Sequence, residues 1–131
     1  MSKLSSAGGA IALAAVTAGT NYLALLTFPP NDATLMTTMT EVTTAGYARQ
    51  TMLASNWTTP TGQPSTSSNI ASIVFGPFTV ATVLISWLAL VSASSGTTGT
   101  LTMYWSLNSP LSFSPGQTLT IPANALVMSI A

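Results

Sequence analysis

Leu101-Thr102-Met103-Tyr104-Trp105-Ser106-Leu107 is the stretch that decides the fold class. Leu101, Met103, Trp105 and Leu107 alternate with Thr102, Tyr104 and Ser106, the period of two that a strand imposes because successive side chains leave opposite faces. Ahead of it, Ser94 to Gly99 is a turn of small residues, and behind it Pro115-Gly116 is a type II turn signal. Thr118 to Ile121 then reads as a strand, Pro122 to Asn124 as a turn, and Leu126, Met128 and Ile130 as the alternating positions of a last strand. Upstream, Ile70 to Phe75 and Thr82 to Val91 read as buried strands, and Asn21 to Thr27 as another, closed by Pro29, Pro30 and Asn31. Ala10 to Val16, rich in Ala and Leu, predicts a short N-terminal helix ending by Thr20 and Asn21, and Asp32 to Thr40 a loop or single helical turn. About eight strands joined by short turns predict an all-β fold, an antiparallel β-sandwich, in a single domain over residues 1–131.

Ala71 to Ala93 carries no charge and is long enough to cross a bilayer as a helix. Gly76 and Pro77 break it early, β-branched residues crowd it, and no Lys or Arg flanks it, so two consecutive buried strands are the simpler reading. Lys3 ahead of Ala10 to Val16 has the outline of a signal peptide, but the apolar run is short, Ala-rich and interrupted by Gly8 and Gly9.

Apolar residues make up 47% of the 131 and charged residues only 3%, against about 25% in ordinary soluble domains. The four charges are Lys3, Asp32, Glu41 and Arg49, and none follows Arg49. Exposed faces must therefore be written in Thr and Ser. Zero net charge gives little repulsion between copies, which suits a subunit of an assembly. One Lys and one Arg far apart make no phosphate-neutralising patch, so nucleic acid is not expected as a partner, nor is a membrane.

Met39 to Met52 reads as a hairpin around Thr43-Thr44-Ala45-Gly46, where Gly46 takes the positive φ of a tight turn. Centred on Ala45, that register sets Glu41 directly opposite Arg49 as a structural ion pair, a contact contributing roughly 0.2–1 kcal/mol across a ladder. Residues 54–69 are polar, contain Pro60, Gly62 and Pro64 and show no periodicity, predicting a long exposed loop or arm. Trp57, with Pro60 and Pro64, is the candidate intersubunit contact on that arm; folding of Trp57 back onto its own domain is the alternative, equally weighted.

With no His and no Cys, a nucleophile has no base of near-neutral pKa, and thiolate metal sites are ruled out. Lys3 sits at a terminus where burial does not lower its pKa, and Asp32 with Glu41 is the only carboxylate pair, one of them already matched to Arg49. No catalytic, metal or cofactor-binding residues are expected, and the chain reads as a non-enzyme needing no cofactor.

Several blocks stand in order along the chain: Tyr22-Leu23-Ala24-Leu25-Leu26-Thr27, Glu41-Val42 with Gly46-Tyr47-Ala48-Arg49-Gln50, Leu88-Ala89-Leu90-Val91 and Gly116-Gln117-Thr118-Leu119-Thr120-Ile121-Pro122-Ala123. Together they resemble a family of small virion proteins of tailed bacteriophages, described as tail-fibre-like or head-decoration proteins. The resemblance implies a β-sandwich that oligomerises and binds the particle. It leaves two virion locations. The preferred one is a cement or decoration protein on the capsid surface, a homotrimer bracing the major capsid protein; the other is a structural module of a tail or fibre. A small membrane-inserted protein is the third, from a different class.

Overall fold

The computed structural model describes residues 4–31 and 33–130, so Lys3 and Asp32 lie outside the described residues. Among the described residues one α-helix precedes eight strands, and the strand pairs with a defined register run antiparallel. The chain has the all-β antiparallel class and short N-terminal helix that the sequence predicts. The described residues group into two compact units.

The first unit gathers the N-terminal segment through Thr20, Met52–Ile73, and the segment from Ile121 onward. Helix α1 (Ser6–Thr17) starts where the Ser5 hydroxyl accepts from the Gly8 amide at 3.1 Å, satisfying a donor that the first turn leaves orphaned. It lies against strands β3 (Ser65–Ser68) and β8 (Val127–Ile130), which pair from Ser65 opposite Ile130 to Ser68 opposite Val127. Gly9 is where they touch: a Cβ there would come within 2.5 Å of the Ser65 hydroxyl.

Residues 54–69, expected as an exposed loop or arm, form a turn whose limbs pair with each other and whose tip, Thr61 to Pro64, is exposed. After a 3-10 turn (Ala54–Asn56) the chain doubles back through bridges joining Trp57 to Asn69 and Thr61 to Thr66, and β3 is its return limb. The turn is held by neutral groups, Ser67 Oγ donating to Thr58 O at 2.6 Å and Thr58 Oγ1 accepting from Ser68 N at 2.9 Å. Fully buried Asn69 finishes it: its amide donates to the carbonyls of Ala71 and Pro122, and its side-chain oxygen accepts from Leu126 N, each at 2.9 Å.

The second unit comprises Asn21–Thr51 and Val74–Thr120. Its four-stranded sheet has the order β2 (Gln50–Leu53), β1 (Thr20–Leu26), β5 (Ile85–Val91), β6 (Leu101–Leu111). In the centre, Ala24 faces Ala89 and Leu25 faces Leu88. Ala24, Leu26, Ala89 and Val91 pack on one side with Met36, while Leu23, Leu25, Leu88 and Leu90 are buried on the other. Burial on both faces explains why β1 and β5 read as continuous apolar runs, whereas β6, at the sheet edge and half exposed, alternates. Ala71 to Ala93 holds β4 (Ile73–Phe75) and β5, the two strands expected, and β4 pairs with β7 (Leu119–Ile121). No helix among the described residues is long and apolar enough to cross a membrane.

Candidate functional site: the Glu41–Tyr47–Arg49 clamp

The hairpin centred on Ala45 does not form. Residues 40–42 pair instead with the end of β1, Thr27 N donating to Thr40 O and Val42 N to Leu25 O, both at 2.9 Å, with Leu26 bridged to Glu41. Since β5 occupies the other edge of β1, β2 and the Glu41 segment lie along the same edge, and residues 43–49 leave the sheet between them. Two backbone partners on β1 outweigh one cross-strand ion pair, because an unpaired buried amide costs about 1–3 kcal/mol.

The excursion makes a turn closed by Tyr47 N donating to Thr44 O at 3.0 Å, with Gly46 at φ 89°. A Cβ on Gly46 would sit 2.5 Å from Pro77 O and 2.9 Å from Phe78 Cα, so the turn needs glycine both for its torsion and for its close approach to residues 77–79. The turn sends Tyr47 back toward the sheet. Its ring stacks on Phe75 with centroids 6.2 Å apart, and its hydroxyl accepts from Leu25 N at 3.1 Å while donating to Glu41 Oε1 at 2.5 Å. A phenol thus serves as a side-chain partner for the β1 backbone where the strand has left.

Arg49 closes the clamp. Its Nε donates to Glu41 Oε1 at 2.7 Å and its Nη2 to Glu41 Oε2 at 2.6 Å, a bidentate pair. The same guanidinium reaches the connection between β5 and β6, Nη1 donating to Ala93 O at 2.7 Å and Nη2 to Gly96 O at 2.8 Å. The Arg49 side chain is 4% exposed and that of Glu41 21%, so the pair is largely withdrawn from water. Burial, reinforced by the hydrogen bond to the Glu41 carboxylate, pushes the Tyr47 hydroxyl far above its ordinary pKa, and the hydrogen bond to Glu41 raises that of Arg49.

The structure therefore brings Glu41 and Arg49 together, through side-chain reach rather than ladder register. Sequence reasoning missed Tyr47 as their third member and the two carbonyls held by Arg49. The available signal was Tyr47 in the block Gly46-Tyr47-Ala48-Arg49-Gln50, six residues from the nearest acid. Trp57 is 5% exposed and folded into its own unit, the alternative weighed for it, while Pro60 is half-buried and Pro64 exposed. An open cleft of about 310 Å³ lies beside the clamp, lined by Glu41, Tyr47, Arg49, Ser94, Ser95 and Gly96. Its charged groups are spent on one another, and a phenol driven further from neutrality is the reverse of the tuning expected of an acid or base catalyst.

The clamp thus fastens residues 41–49 and the β5–β6 connection to one another. The chain belongs to the family described as podophage GP4 fiber I protein gp80, whose model matches residues 9–129. It is a structural protein of a phage virion. No curated protein and no solved structure matches the chain.

Proposed function

We propose that the chain is a structural subunit of the phage tail fibre, building the fibre by packing against copies of itself and the adjoining virion protein, rather than a cement protein on the capsid surface. The observation that carries this reading is the match over residues 9–129 to a family described as fibre. A cement protein bridging neighbours would use an extended arm, whereas residues 54–69 double back as a paired turn. Neither nucleic acid nor membrane is a partner in this reading, and no reaction is assigned. Large apolar side chains left in water, including Phe28, Val83, Leu84 and Leu111 at 66%, 58%, 58% and 41% exposure, support apolar contacts as the means of assembly.

Quantitative mass spectrometry of purified virions tests the location. We expect far fewer copies of this chain than of the major capsid protein, and loss of the chain from particles stripped of their fibres. A copy number matching the major capsid protein would return the chain to the capsid surface.

A further inference from the structure

We draw no further inference here: the strongest candidate, the outer edge of β6 (Leu101–Leu111), which ends the four-stranded sheet and bears no charged side chain, is a strand edge for which nothing in the structure shows what covers it.

Discussion

The Glu41 carboxylate receives the Arg49 fork and the Tyr47 hydroxyl together, so removing either partner leaves its charge under-compensated in a site largely closed to water. Breaking a buried pair from one side costs roughly 3–5 kcal/mol, and an exposed pair contributes under about 1, which puts either single substitution here at about 2–4 kcal/mol. Glu41→Gln with Arg49→Gln should cost less than the sum of the two singles. A double-mutant cycle read by thermal or urea unfolding measures that coupling, and additive losses would mean that the clamp seen here does not hold the fold. Arg49→Gln is expected to be the costlier single change, because it also releases the carbonyls of Ala93 and Gly96. Tyr47 adds a pH dependence. Its hydroxyl keeps its proton in the folded chain well above the ordinary value near 10, at which the unfolded chain loses it. The stabilisation is therefore complete below pH 10 and declines as the pH rises further, by about 1.4 kcal/mol per unit for one proton. Urea unfolding at several pH values above about 10 should show this slope in the parent and its loss in Tyr47→Phe. An identical slope in both would show that the phenol titrates normally.

At the scale of elements, α1 carries two successive glycines with opposite roles. A Cβ at Gly8 would meet nothing closer than 3.4 Å, whereas at Gly9 it would press within 2.5 Å of the Ser65 hydroxyl and 3.0 Å of Ser65 Cβ. Gly8→Ala should therefore gain up to about 1 kcal/mol from helix propensity. Gly9→Ala should lose about 1–3 kcal/mol to overpacking, and thermal midpoints moving in the same direction for both would contradict the close docking of α1 on β3. The same elements show what could be read in advance. Strands β5 to β8 were legible because apolar runs, alternation and Pro-Gly turns mark them directly. Strand β3 was not, since its buried face is Ser65 and Ser67, whose hydroxyls are satisfied by Ser6 O, Gly62 O and Thr58 O, and no apolar pattern announces such a face. The partnership of Glu41 with Arg49 was legible from the scarcity of charge. Its hairpin was not, because the choice lay in a distant strand: the free edge of β1 took both flanks of the turn. Tyr47 escaped notice for the same reason, as its role exists only once the backbone of Leu25 is beside it.

For the whole molecule, the distribution of charge fixes how assembly should respond to its solvent. Residues 50–131 contain no Asp, Glu, Lys, Arg or His, and the ion pair formed by Glu41 and Arg49 is turned inward, its donors and acceptors engaged within one unit. In the proposed assembly, contacts between copies and with the rest of the virion should then come from burial of apolar surface and from neutral hydrogen bonds. Raising ionic strength from about 0.05 to about 1 M shortens the Debye length from well over 10 Å to about 3 Å, which weakens any interface steered or held by exposed charge. Here that change should leave the oligomer almost untouched. Sulfate, which strengthens apolar burial by exclusion from the protein surface, should tighten it, and association should carry a negative heat-capacity change. Sedimentation of the isolated chain across sodium chloride and sodium sulfate series, with calorimetry of dilution at several temperatures, provides all three readouts. Dissociation in step with sodium chloride would require charged contacts on a surface that has almost none to offer, and would overturn the view that neutrality is what adapts this chain to assembly.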